Sequence, residues 1–186
     1  MVRLSKEGDE EAFSALVKKY KTKVFSLAFS LTRDREMADD LAQEAFIKAY
    51  FALPKFRLNS EFGTWLYRIT VNHVKDYLRK KGKIRKMILE NIKEISFIQE
   101  DETVRKEKEH AEEQRRKLVH QAIHTLPEKH QIILSLRDIQ GFSYGEIAKI
   151  LKIFPGTVDS RLHRARKMLR KKLAPFLSQK GGNHEM

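Results

Sequence analysis

The chain of 186 residues contains no cysteine, so neither disulfides nor thiolate metal centres can form, and a reducing compartment such as the cytoplasm suits it. No apolar run approaches the length of a membrane span, and the opening stretch MVRLSKEGDEEAF lacks the apolar core of a signal peptide. A cytoplasmic protein with no membrane insertion is expected. Glycine-rich phosphate loops, a GxSxG elbow and internal repeats are all missing. His120 and His124 stand at a metal-ligand spacing, but Gln121 follows His120, so there is no HExxH motif, and no third ligand is evident. A structural or surface role is expected for both, and nothing calls for a metal, a cofactor or a catalytic residue. Proline is scarce: Pro54, Pro127, Pro155 and Pro175 all fall where helical periodicity breaks or ends.

Positive charge is what the sequence has in excess. Its net charge is +13, and the placement is uneven. Residues 141–173 hold nine Lys and Arg against two acids, and residues 61–86 hold eight against two, which together account for the whole surplus. Two separate basic segments imply two contacts with a polyanion, most simply nucleic acid. A membrane surface is the competing polyanion, but these basic helices lack broad aromatic-rich insertion faces.

Helical spacing of apolar residues runs through most of the chain, and no sustained strand alternation competes with it. Phe13, Leu16, Val17, Tyr20, Val24, Leu27, Ala28 and Leu31 define a long first helix from Asp9 to about Leu31. After a polar break at Thr32-Arg33-Asp34, a second helix spans about Arg35 to Leu53, with Met37, Leu41, Ala45 and Ala49 inward and Asp39, Asp40, Gln43, Glu44 and Lys48 outward. Asp40 and Glu44 sit one turn apart, as a paired-carboxylate metal site would, although acids early in a helix are expected from its dipole alone. Pro54 ends this helix. The loop Lys55 to Ser60 is expected to expose an aromatic, Phe56, and a base, Arg57. A third helix at about Glu61 to Lys81 sets Arg68, Asn72, Lys75 and Arg79 in one polar-basic stripe suited to a phosphate backbone, with Trp65 in the core.

Residues 87–114 change character, with nine acids against four bases and no sustained period, and are expected to form an acidic flexible linker. Helical spacing resumes near Arg115; Pro127 breaks it, and a short helix is expected over Glu128 to Asp138. Then come two helices joined by a tight turn. Ser143 and Glu146 form a capping box, Ile147, Ala148, Ile150 and Leu151 face inward, and Ile153-Phe154-Pro155-Gly156 interrupts. Thr157 is the expected N-cap of the second helix. There Val158, Leu162, Ala165 and Leu169 make one apolar stripe, and seven basic residues with only Asp159 opposing them occupy the remainder. An ordinary surface helix would mix signs to gain ion pairs between turns, so this reads as a helix-turn-helix for duplex DNA rather than a solvated hairpin.

Taken together, DDLAQEAFIKAYFAL at 39–53, FGTWLYRITVNHVKDYLRKK at 62–81, and LPEKHQIILSLRDIQGFSYGEIAKIL at 126–151 running on into GTVDSRLHRARKMLRKKL resemble the extracytoplasmic-function (ECF) group of bacterial sigma factors, in order and in separation. The resemblance implies an all-α protein of two small helical domains. The first, 1–86, binds core RNA polymerase over 40–53 and recognises and melts the minus-ten element over 56–81. The linker 87–114 follows, and the second domain, 115–178, carries the helix-turn-helix at 143–162 with a recognition helix continuing to 173, before a disordered tail at 179–186. The implied contact with the clamp helices of the largest polymerase subunit falls on Asp40, Gln43, Glu44, Phe46 and Lys48. Contact with the melted minus-ten strand falls on Phe56, Arg57, Asn59, Ser60, Arg68, Asn72, Lys75 and Arg79. The duplex minus-thirty-five element falls to Ser143, Thr157, Ser160, Arg161, His163, Arg164, Arg166 and Lys167. An anti-sigma factor, often membrane-anchored, is a further implied partner.

Three departures from the family pattern stand out: Asp159 where a base is common, Phe154-Pro155-Gly156 in place of a proline-valine-glycine order, and Thr70 where alanine is common. The rival readings are a dimeric helix-turn-helix repressor or activator, a metal-dependent nuclease using Asp40 and Glu44, and an adaptor that binds only protein.

Overall fold

The computed structural model describes residues 1–58, 61–91 and 118–178. Those residues are helical, with no strand among them. A short helix α1, Val2–Lys6, which periodicity did not anticipate, leads through Gly8 in a left-handed turn (φ +99) to α2, Glu10–Thr32. Asp9 caps α2 by accepting from the Ala12 amide at 2.9 Å. The helix stops at Arg33, which takes up a left-handed conformation (φ 59) and donates to the Phe29 carbonyl. Asp34 then caps α3, Arg35–Ala52, by accepting from the Met37 amide at 3.0 Å. These two caps, on either side of one left-handed residue, turn the chain back on itself.

Four alanines of α3, Ala38, Ala42, Ala45 and Ala49, lie at helical spacing and are buried, so the backbone of α3 can approach α2 closely. Leu16, Val24, Leu27 and Leu31 of α2 meet them, and Leu66, Val71 and Val74 of α4, Phe62–Asn91, close this core. A tight 3-10 turn at Leu53–Lys55, set by Pro54, ends α3. At 30 residues α4 is about 45 Å long. It runs ten residues beyond the expected end at Lys81 and takes in the first five of the expected linker. Residues 92–114 of that linker, Asn59 and Ser60, and the expected tail at 179–186 lie outside the described residues.

The second domain begins with a helix at 118–124, α5, and continues through α6, Glu128–Leu134. The expected single helix to Asp138 instead widens at Ser135–Ile139 into a π turn, closed by the Gln140 amide on the Ser135 carbonyl at 2.9 Å. Helices α7, Tyr144–Leu151, and α8, Pro155–Ser178, complete the domain around Ile123, Leu126, Ile133, Leu136, Ile147, Ile150, Val158, Leu162 and Ala165. Two expectations need correction. Phe154, not Thr157, occupies the N-cap position of α8: its carbonyl accepts from the amides of Thr157 and Val158 at 2.9 and 3.2 Å, because Pro155 is preorganised for the first helical position. Pro175, expected at a frayed end, lies inside α8.

The domains pack on each other through α4 and α7. Tyr67 meets Phe142, with 4.9 Å between ring centroids, Gln140 donates to the Ser26 hydroxyl at 2.9 Å, and Arg79 lies 3.6 Å from the Glu128 carboxylate.

Candidate nucleic-acid interface

The outer face of α3 presents Asp40, Gln43, Glu44 and Lys48 to solvent, and Gln43 donates to Asp39 at 2.9 Å. Phe46 is buried instead, and lines the groove between α2 and α3 with Val17, Phe25 and Ala42. Beside this acidic face Ile47 and Phe51 stand exposed, the latter 75% exposed, and Tyr50 partly so. Sequence reasoning missed these three, although FIKAYF at 46–51 holds more apolar side chains than one helix stripe can bury. The face is also tied to α4. Glu44 lies 2.7 Å from His73 Nε2, and Lys48 meets His73 Nδ1. Burial foremost, then Lys48, holds the His73 pKa below its ordinary value, with Glu44 opposing. The Lys48 contact suits a neutral ring that accepts at Nδ1.

The loop before α4 differs from expectation. Phe56 is only 3% exposed, inserted between Phe62 and Trp65 with centroids at 6.0 and 4.8 Å, while its carbonyl accepts from Lys6 Nζ at 2.9 Å. It is a prop beneath the loop, not an exposed aromatic. Trp65, expected in the core, is half-buried on this cluster. A side chain at Gly63 would place its Cβ 3.0 Å from the Tyr20 ring, so glycine permits the loop to close onto α2. Arg57 is exposed, and along α4 Asn72 and Arg79 are exposed while Arg68 and Lys75 are half-buried, which leaves one continuous polar-basic stripe. Below it, Tyr67 is pushed up to about pKa 12 by burial first, then by Tyr20 and Glu146. Thr70 is fully buried and satisfies its hydroxyl on the Leu66 carbonyl at 3.0 Å, so this departure from the family pattern fits the core.

In the helix-turn-helix the expected capping box is present: Glu146 donates its amide to the Ser143 hydroxyl at 3.2 Å and accepts from the Ser143 amide at 2.7 Å. The Ser143 hydroxyl also donates to the Glu146 carboxylate, and these bonds hold the Glu146 pKa below its usual value. Ser143 is therefore occupied in building α7. Along α8 Asp159, Ser160, His163, Arg164 and Lys167 are exposed, Thr157 and Arg161 half-buried. Arg164 leans back on Ser160, with Nε 3.2 Å from its carbonyl. Arg166, expected on the DNA face, forms a forked pair with Asp138 at 2.6 and 3.3 Å, which raises its pKa further. Beneath this helix the buried His130 has a pKa held below its ordinary value, by burial first and then by Lys129, Arg161 and Arg164, with a backbone hydrogen bond to Arg161 opposing. His120 and His124 are half-buried, each with an imidazole nitrogen that has no hydrogen-bond partner. Among the described residues no three His, Asp or Glu side chains gather as a metal would require, and no helix is long and apolar enough to cross a membrane.

This arrangement was compared with known proteins. The family Sigma-70 region 2 matches residues 16–84, and Sigma-70, region 4 matches residues 116–169. RNA polymerase sigma-H factor of Pseudomonas aeruginosa is 38% identical over 183 residues, covering 96% of this chain and 95% of that protein. ECF RNA polymerase sigma-E factor of Escherichia coli K12 is 38% identical over 183 residues, covering 95% and 94%. The chain belongs to the ECF sigma factors. It is an alternative sigma factor that directs transcription initiation, and these relatives give no support to the repressor alternative. Among solved structures, CnrH in complex with the cytosolic domain of CnrY shares the fold of this sigma factor with a TM-score of 0.69, at 24% identity over 94% of this chain and 95% of that one. The sigma factor RpoE of Bartonella quintana, solved in complex with the anti-sigma factor NepR, gives 0.65 at 23% identity, over 88% and 98%.

Proposed function

We propose that this sigma factor docks on the clamp helices of the largest polymerase subunit through Asp40, Gln43, Glu44 and Lys48. The exposed Ile47 and Phe51 extend that face with apolar contact. Arg57, Asn59, Ser60, Arg68, Asn72, Lys75 and Arg79 then hold the melted minus-ten strand: cations follow its phosphates, and the loop takes an extruded base. Thr157, Ser160, Arg161, His163, Arg164 and Lys167 read the minus-thirty-five duplex, with α7 setting the angle of α8. Ser143 and Arg166 serve this reading indirectly, the first by starting α7 and the second by fastening α8 to Asp138. The chain performs no chemistry of its own; its role in the cytoplasm is binding and selection, while polymerase transfers nucleotides. An anti-sigma factor is a further partner, as for the B. quintana protein.

One observation carries this reading: Arg68, Lys75 and Arg79 of α4 and Arg161, Arg164 and Lys167 of α8 reach solvent in separate domains, each on a helix backed by a packed core. The test is transcription in vitro by core polymerase over a pool of genomic fragments, with and without this chain, sequencing the new starts. New starts that share two spaced upstream elements are expected. Tight DNA binding without new starts would sink the proposal.

A further inference from the structure

Phe154 is 83% exposed, more than any other large apolar side chain described. Its place makes this exposure informative. The preceding helix α7 closes through Lys152 in a left-handed conformation (φ 53), with the Ile153 amide on the Ala148 carbonyl at 3.0 Å, and Ile153 turns inward against the core. Phe154 follows as the N-cap of α8, its carbonyl fixed by the amides of Thr157 and Val158. Pro155 restricts the backbone of the residue before it to extended conformations. Its backbone is thus pinned on both sides, and its ring gains no burial from the fold.

The surroundings identify what would cover it. Lys149, Lys152, Ser160 and Arg164 are exposed in the same helix-turn-helix, with Asp159 the one exposed acid of α8, so the ring is an apolar group on a mostly cationic surface. A protein-docking patch would continue into further apolar surface, whereas Pro155 and Gly156 beside it offer little. In a helix-turn-helix the amino end of the second helix meets base edges in the major groove. The one apolar group that groove presents is the C5-methyl of thymine, which phenylalanine can cover.

We infer that Phe154 is a specificity-determining residue that contacts a thymine methyl within the minus-thirty-five duplex, adding an apolar contact to the polar readout of Ser160 and Arg164. The inference rests on the promoter reading above and makes it finer. It also gives a purpose to the Phe154-Pro155-Gly156 order: proline one place later frees the N-cap position for a large side chain and fixes its backbone.

The experiment uses holoenzyme, this chain with core polymerase, on a promoter recovered from the transcription assay. Each thymine of the upstream element, on either strand, is replaced singly by deoxyuridine, which lacks only the methyl group. One such replacement is expected to weaken the wild-type complex about fourfold, the worth of one buried methyl. Phe154→Ala should lose a similar factor on the thymine duplex and no longer distinguish it from uracil; Phe154→Leu should keep part of the discrimination. Because the ring is exposed, thermal melting of Phe154→Ala should match wild type. If no replacement discriminates between wild type and Phe154→Ala, or if Phe154→Ala weakens every duplex equally, the methyl contact is wrong while the promoter reading stands. Loss of any preference for the upstream element in the wild-type holoenzyme would overturn both.

Discussion

The Tyr67 ring stands edge-on to that of Phe142, 61° between planes and 4.9 Å between centroids, and so joins α4 to the residue that leads into the helix-turn-helix. Both rings are buried. On the reading proposed above, the two domains take separate promoter elements, at minus ten and minus thirty-five, so about 25 base pairs or about 85 Å apart along a straight duplex. Rings in contact cannot serve both elements at once. We expect this contact to part when the chain assembles with core polymerase on a promoter. The chain has no native cysteine, so Ser26→Cys with Gln140→Cys can be joined cleanly by a short bismaleimide. The crosslinked protein should fail in transcription while each single-cysteine variant remains active; full activity of the crosslinked form would refute the separation.

Asn72 lies exposed in the middle of the α4 stripe, so truncating it removes a polar contact without opening a cavity. Asn72→Ala should reduce strand opening more than closed-complex formation. Permanganate reactivity of thymines in the melted region reports the first, and gel shift at low temperature the second. Unchanged reactivity counts against the assignment.

Arg164 is exposed on α8 and leans on Ser160, one turn away on the same helix. Arg164→Ala should weaken binding to the minus-thirty-five duplex and spare binding to core polymerase. If the contact is to a phosphate, the slope of log affinity against log salt should fall by about 0.9. If it is to a guanine edge, the slope should hold and base preference at one position should relax. Equal transcription at limiting protein would remove Arg164 from the interface.

His124 is pushed down to about pKa 4, by burial first and then by Arg33 and His120, and His120 is lowered by burial and Arg33 in turn. An unfolded histidine titrates near 6.5, so between about 6.5 and 4 the unfolded chain binds more protons than the folded one. Stability should therefore fall as pH drops through that window. Urea titrations at a series of pH values should show it, with His124→Gln flattening the dependence. An unaltered slope in that variant would place the effect elsewhere.

The sequence carries those features whose causes are local. The capping box at Ser143 and Glu146 is legible because both partners lie within one turn, and the basic stripes of α4 and α8 because helical spacing alone puts their members on one face. Phe56 is misread because its burial depends on Trp65, nine residues on, and on Lys6 of α1, fifty residues away. Arg166 looks like one more cation until the fold brings Asp138, 28 residues earlier, within 2.6 Å. Thr157 is a good cap by residue type, but Pro155 moves the helix start three residues earlier, and a backbone carbonyl takes the place of its hydroxyl.

The widened turn at Ser135–Ile139 works as a phase setting. Its ring encloses one residue more than an α-helical ring, which rotates the following chain by about 100° relative to a straight continuation. Phe142 and Gln140, which meet the first domain at Tyr67 and Ser26, both lie just after it. Deleting a single residue there would restore the α-helical count and turn both contacts away together. A length change that a surface loop would absorb becomes, at this point in the chain, an angular error between the two domains.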